Sequence, residues 1–351
     1  MITSPLPDER ATVRARVPLR LGLAGGGTDL SPYSDAHGGA VLNITIDRYA
    51  YAFIEPSDDG RTRFLAPDLD IEEVFPAGDQ DFNGARLALH AGVARRMLAE
   101  HAGGRMAPFR LTSFVDAPPG SGLGSSSALV VALVEAFATR LAAPLGPYDI
   151  AHLAYEIERI DLGLAGGKQD QYAATFGGAN FIEFLPGDRV IVNPLRVSAA
   201  MLNELETSMV ICFTGVSRAS ETIIVEQQRN MAAPGGTVLE SLHQLKRDAM
   251  EMKLALLRGE ISHMAEILNR SWRAKKRTAS GISTGEIDAL LESAFAAGAI
   301  GGKVSGAGGG GFMMFIVPPE RRMAVLRALE AGGGQAGGVH FTRAGAESWV
   351  R

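Results

Sequence analysis

Along residues 42–47 the chain alternates strictly between apolar and polar. Leu42, Ile44 and Ile46 fall on one face, and Asn43, Thr45 and Asp47 on the other. A period of two predicts a half-buried strand. It continues through residues 49–54 and stops at the turn cluster Glu55, Pro56, Ser57, Asp58, Asp59 and Gly60. Residues 14–23 read as a preceding strand and 111–115 as an extended segment, with antiparallel pairing expected. Helical spacing predicts helices over 83–101, where Leu87, Val93, Met97 and Leu98 are the apolar positions, and over 148–161. In the latter Ile150, Leu153, Ile157 and Ile160 form one stripe, and Glu158 falls off it.

From about residue 201 the texture changes. Residues 209–213 predict a short buried strand, followed by helices near 220–230, 237–258, 261–272 and 284–298. A glycine-studded strand–turn–strand spans 299–317. A helix over 319–330, a loose glycine tract at 332–338 and a last strand at 338–342 complete the chain. The pattern is α+β. At 351 residues two domains are expected, with the boundary set at 1–200 and 201–351.

Composition narrows the partners. A net charge of −5 argues against nucleic acid, whose phosphates want a basic face. The sole cysteine, Cys212, sits in an apolar run, so no disulfide framework exists and a reducing cytoplasm is expected. Residues 1–20 lack the apolar stretch of a signal peptide, no apolar run reaches membrane-spanning length, and no membrane partner is expected. Seven scattered histidines show no zinc-ligand spacing.

The stretch with the most chemistry lies at residues 116–137. Two prolines block continued helix or central strand, three glycines permit unusual turns, and three serines open a strongly apolar helix. Serine is a favoured helix cap. A glycine loop leading into a helix N-terminus offers convergent N–H donors and a positive dipole end, which together make a phosphate cradle. It is not the common P-loop, because no lysine follows Gly124. It is not the hydrolase elbow, because no glycine stands two places after its serine. A second glycine turn, residues 22–29, lacks the dinucleotide-binding spacing. A third, residues 162–178, carries Asp170.

The loop at 119–128, the turn at 25–29 and the run at 303–312 resemble, in kind, order and spacing, the three motifs of the GHMP small-molecule kinases. The resemblance covers nearly the whole chain. It implies a ribosomal-S5-like N-terminal domain and a ferredoxin-like C-terminal domain, with the active site between them. It implies ATP and Mg²⁺ as cofactors, with Pro119, Gly120, Ser121, Gly122, Leu123, Gly124, Ser125, Ser126 and Ser127 binding ATP. Arg20 stands nine residues before Asp29, and Glu158 twelve before Asp170. Those spacings match galactokinases, so the resemblance makes Asp170 and Arg20 catalytic and Ser126 and Glu158 the metal ligands. Residues 303–311 would form a backbone concavity beside the nucleotide.

Substrate contacts are expected at Gly26, Gly27, Thr28 and Asp29. Galactokinases have a Glu-His pair where this chain has Gly26 and Gly27, which removes contacts to the far end of a hexose and opens space. That pattern looks most like the heptose-phosphate kinases of the family, which act on an anomeric hydroxyl, and fucokinase domains share it. A sugar phosphate and ATP are thus the expected partners, with homo-oligomerisation left open. Lys168, Arg218 and the cluster of Arg273, Lys275, Lys276 and Arg277 are the candidate cations for a substrate phosphate.

Overall fold

The computed structural model describes residues 11–76, 78–215, 220–232 and 236–351. Among them two sheets carry the architecture. The first is eight-stranded and runs in the order Glu347–Val350, Val13–Ala24, Gly39–Pro56, Phe109–Val115, Thr62–Ala66 and Ile71–Phe75. Ala179–Leu185 and Arg189–Pro194 branch from Gly39–Pro56, whose 18 residues pair with Ala179–Leu185 in the first part and Phe109–Val115 in the second. Pairing is antiparallel as expected, except where Thr62–Ala66 runs parallel to Phe109–Val115.

The alternation along Val13–Ala24 sends Val13, Ala15, Val17, Leu19, Leu21 and Leu23 into the core. Leu42, Ile44 and Ile46 follow the same rule. Asn43 and Thr45, expected on an open face, are buried as well, and only Asp47 reaches solvent. Two helices, Ser125–Arg140 and Gly236–Arg258, both pack against the first two strands, which leaves no open face there. Ser125–Arg140 is apolar on nearly all sides because it is enclosed on nearly all sides. Full burial of each such aliphatic side chain contributes about 1.5–3 kcal/mol.

The second sheet is four-stranded and antiparallel, in the order Gln335–Gly337, Met209–Phe213, Phe312–Ile316 and Gly301–Val304. Met313 and Phe315 pack with Leu290, Leu291 and Leu329, while Met314 and Ile316 join Met252, Leu256 and Ile267. Two covered faces explain the unbroken apolar run. The cluster holding Met314 and Ile316 is continuous with the core of the first sheet, so packing runs across residue 200 without a gap.

Two boundaries differ from expectation. The helix at 83–101 starts at Ala88, because Glu73 accepts the N–H groups of Arg86 and Leu87 at 2.7 and 2.8 Å just before it. The last strand is not at 338–342, where only Phe341 bridges Ile46. Instead Glu347–Val350 pairs with Val13 through Arg16, returning the chain end to the first sheet.

Candidate active site

Between the two sheets the glycine-rich segments line one cavity of about 400 Å³. The loop at 119–127 reaches it from the end of Phe109–Val115. Gly120, Gly122 and Gly124 all hold positive φ, near 71–76°, a region that favours glycine. The helix Ser125–Arg140 is capped by Gly124, not by a serine, and no side chain caps its first turn. That departs from expectation, and it leaves the first-turn N–H groups open to an anion. The hydroxyls of Ser126 and Ser127 instead turn toward Glu158. Ser126 Oγ donates to Glu158 Oε1 and Ser127 Oγ to Oε2, each at 2.7 Å. Ser125 and Ser127 are buried, whereas Ser126 is exposed to the cavity.

Glu158 reaches this position through a helical irregularity. The helix Pro147–Tyr155 passes into a π-helical turn, Glu156–Asp161, where the Leu162 N–H bonds the Ile157 carbonyl five residues back. The extra residue in the turn shifts the helical phase. Ile160, expected on the buried stripe, is 65 % exposed, and Glu158, expected off it, is fully buried. Gln171 Nε2 also donates to Glu158 Oε2 at 2.7 Å, and Arg159 lies 3.3 Å from Oε1. A buried carboxylate needs such partners.

Asp170 lies in the first turn of Gln169–Phe176. Arg20 Nε donates to its Oδ1 at 2.7 Å, and Arg20 Nη2 lies 2.6 Å from the same oxygen. Arg20 Nη1 donates to the Gly122 carbonyl at 2.6 Å. Ser305 Oγ donates to that carbonyl too, at 2.9 Å, and the Phe312 N–H bonds the Ser121 carbonyl at 2.8 Å. One arginine therefore joins Asp170 to the phosphate loop, and the 303–312 run braces the loop from behind. Lys303, Val304, Gly306 and Ala307 of that run line the cavity directly.

The turn at 25–29 forms another wall. Asp29 is buried, accepting the Gly27 N–H at 3.0 Å, Gln169 Nε2 at 3.1 Å and the Gln169 N–H at 3.2 Å. Burial, then the neighbouring Asp170 charge, push its carboxyl above the usual range. Thr28 does not face the cavity. Its hydroxyl bonds the Gly25 and Ala40 backbone and holds the turn together, so the structure does not bring this expected contact to the cavity. Gly26 and Gly27 line the cavity for different reasons. A Cβ on Gly26 would meet only Gln169 Nε2 at 3.8 Å, whereas Gly27 has φ +102° and a Cβ there would lie 3.0 Å from Lys275 Nζ.

The candidate phosphate cations separate sharply. Lys168 pairs with Asp188 and packs over Tyr155, and it does not line the cavity. The structure therefore does not bring this expected substrate contact to the cavity. Arg218 lies outside the described residues. Lys276 is 3.7 Å from Asp288, and Arg273 and Arg277 are exposed. Lys275 alone of its cluster points inward, with Nζ 3.2 Å from the Gly26 carbonyl. Gln171, which holds Glu158, and Lys303, which lines the cavity, were not singled out by sequence for these roles. The only signal for Gln171 was its place one residue after Asp170.

The GHMP kinases N terminal domain matches residues 88–178, and the GHMP kinases C terminal domain matches residues 252–335. The chain is 42 % identical over 338 residues to the D-glycero-alpha-D-manno-heptose 7-phosphate kinase of Campylobacter jejuni, covering 96 % of this chain and 99 % of that one. A D-glycero-D-manno-heptose 1-phosphate kinase structure from Bacteroides thetaiotaomicron superposes with a TM-score of 0.81 at 42 % identity, covering 96 % and 98 % of the two chains. The Arabidopsis thaliana bifunctional fucokinase/GDP-fucose pyrophosphorylase is more distant, 25 % identical over 80 % of this chain and 27 % of its own.

Proposed function

The chain belongs to the GHMP kinases, and on that premise we propose that it transfers the γ-phosphoryl group of ATP to the anomeric hydroxyl of D-glycero-D-manno-heptose 7-phosphate, giving the 1,7-bisphosphate and ADP. The observation that carries the reading is the Arg20–Asp170 pair, set where the phosphate loop, the 25–29 turn and the 303–312 run meet on one cavity. The heptose kinases it resembles along nearly their whole length support the sugar.

Phosphoryl transfer passes through a loose transition state, so positioning and charge matter more than covalent chemistry. The loop and the uncapped helix N-terminus receive the triphosphate. Asp170 takes the proton of the anomeric hydroxyl as its oxygen bonds to the γ-phosphorus, and the bond from that phosphorus to the bridging oxygen breaks to release ADP. Arg20 fixes the Asp170 carboxylate by contacts to one of its oxygens, leaving Oδ2 for the hydroxyl.

Ser126 and Glu158 fit a magnesium ion. Both are hard oxygen donors, and a hydroxyl that donates to Glu158 still has lone pairs for a cation. Bound there, the ion would neutralise charge on the phosphate oxygens. Among the described residues no group of three or more His, Cys, Asp or Glu forms a metal site by itself, so the remaining ligands would come from ATP and water. ATP as donor fits a cytoplasmic setting, and the proposal places the reaction in surface-polysaccharide precursor synthesis. No helix among the described residues is long and apolar enough to cross a membrane.

A coupled ADP-release assay over heptose 7-phosphate, heptose, fucose, galactose and mannose tests the reading. The heptose phosphate should have the highest kcat/KM by about tenfold or more. A neutral hexose ranking first would replace the assignment with another sugar 1-kinase.

A further inference from the structure

The cavity holds two ammonium groups that, among the described residues, form no ion pair with the carboxylates lining it, Asp29, Glu158, Asp170 and Glu221. Arg20 is paired with Asp170, and Arg159 lies against Glu158. Lys275 and Lys303 also line the cavity, yet among the described residues neither has a carboxylate within ion-pair distance. Among the described residues the sole hydrogen-bond partner of the Lys275 ammonium is a neutral carbonyl, that of Gly26. The nearby acid, Asp29, already accepts from Gly27 and Gln169, and Asp248 is held by Arg270, Ser271 and Gln244.

Such an arrangement is costly in the free protein. Burial, the larger effect, pushes Lys275 down to about 8, with Arg20 adding to it and Asp29 opposing it. Burial also pushes Lys303 down to about 7, with Lys275 and then Arg20 adding repulsion and Asp248 opposing it. An incoming dianion would relieve both. A phosphate monoester supplies two charges and several acceptor oxygens in a compact group, matching two ammoniums with three donors each.

We propose that Lys275 and Lys303 form a phosphate receptor on the Gly26–Gly27 side of the cavity, taking the non-reacting phosphate of the sugar. This deepens the kinase reading and rests on it. It also explains why a lysine should be buried among glycines. Gly26 leaves open space beside the Lys275 contact, where an anionic group can enter. The competing ligand of the same chemistry is the γ-phosphate of ATP, because Lys303 stands two residues before Ser305, which bonds the phosphate loop.

The test uses the full chain with Lys275→Met, Lys303→Met and the double substitution, plus Lys303→Arg. Rates with ATP are measured on heptose 7-phosphate and on unphosphorylated heptose, with folding checked by circular dichroism. The proposal expects kcat/KM for the phosphate ester to fall about a hundredfold or more in the double variant. The ratio of the two sugars should drop toward one, KM for ATP should change less than about threefold, and Lys303→Arg should retain most of the preference. An equal loss on both sugars with a raised KM for ATP would move the lysines to the transferred phosphoryl group and overturn the assignment. So would a folded double variant that keeps the wild-type ratio.

Calorimetric titration without ATP separates this inference from the kinase reading. Wild type should bind heptose 7-phosphate and inorganic phosphate, and the double variant should bind each at least about tenfold more weakly. Lysine-dependent phosphate binding in a protein that turns over no heptose 7-phosphate would support the receptor while refuting the substrate. Equal binding by wild type and double variant would overturn the receptor.

Discussion

Replacing Gly27 with alanine tests the local geometry of the sugar-side wall, with Gly26→Ala as its internal control. The sequence alone allows two explanations for these glycines, a positive φ or room for substrate; the second is expected at both, and on that view side chains at either position leave the fold intact. The structure divides them. Gly27 has φ +102°, where an L-residue is strained by about 1–3 kcal/mol. Its Cβ would also press on Lys275 Nζ at 3.0 Å, displacing that ammonium from the Gly26 carbonyl. A total near 2 kcal/mol is expected. With unfolding entropy of about 2.1 cal/mol/K per residue, the whole chain melting as a unit would lose about 3 °C in Tm. Gly26→Ala meets nothing closer than 3.8 Å and has no positive φ, so its Tm should stay within about 1 °C of wild type. Calorimetric melts of the two variants decide it. Equal melting of Gly27→Ala and wild type, or equal loss at both positions, would refute the reasoning. Restoring the galactokinase-like pair would therefore destabilise the protein through position 27. Selectivity is better probed with Gly26→Glu alone, whose carboxylate would compete for Lys275.

Three further outcomes are expected. Asp170→Asn should lower kcat by about a hundredfold or more while nucleotide affinity stays nearly intact, measured by rates and by ATP titration; a kcat within a few-fold of wild type removes Asp170 from the mechanism. Ser126→Ala should raise the Mg²⁺ concentration needed for half-maximal rate by several-fold, and Glu158→Gln should do the same while also weakening the fold, since it breaks a buried network; an unchanged Mg²⁺ titration in both variants rejects these ligands. Lys303 is held near 7 in the folded protein against 10.5 in the reference state, so its destabilising effect is fully present below pH 7 and fades as pH rises from about 7 to 10.5. Ligand-free Lys303→Met should accordingly gain Tm over wild type at pH 6 and gain less at pH 10; melts showing no gain at pH 6 would mean the ammonium is already compensated.

Much of this site was legible in the chain because its parts are local. Glycines that need positive φ, and the fixed spacings of Arg20 to Asp29 and Glu158 to Asp170, survive any tertiary context. What was hidden depends on context. The inward turn of Glu158 follows from a π-helical turn that a 3.6-residue period cannot anticipate, and the same turn exposes Ile160. Lys275 could not be told from Lys276 or Arg277, because only the packing of Ile261–Lys275 decides which of them faces the cavity. Thr28 reads like a ligand contact by its place in the motif, yet its hydroxyl is consumed by Gly25 and Ala40. The final strand was misplaced because Glu347–Val350 is only four residues long and shows no alternation, and only its pairing with Val13–Ala24 makes it a strand.

The central claim is that the cavity transfers phosphoryl to the anomeric oxygen of a sugar already phosphorylated at its far end. Wild-type protein incubated with ATP, Mg²⁺ and D-glycero-D-manno-heptose 7-phosphate, with the product read by phosphorus NMR, tests it most directly. The account predicts a second monoester resonance coupled to the anomeric proton, appearing in step with ADP. A new phosphate coupled to any other ring proton, or no ADP formed above the sugar-free rate, would contradict it.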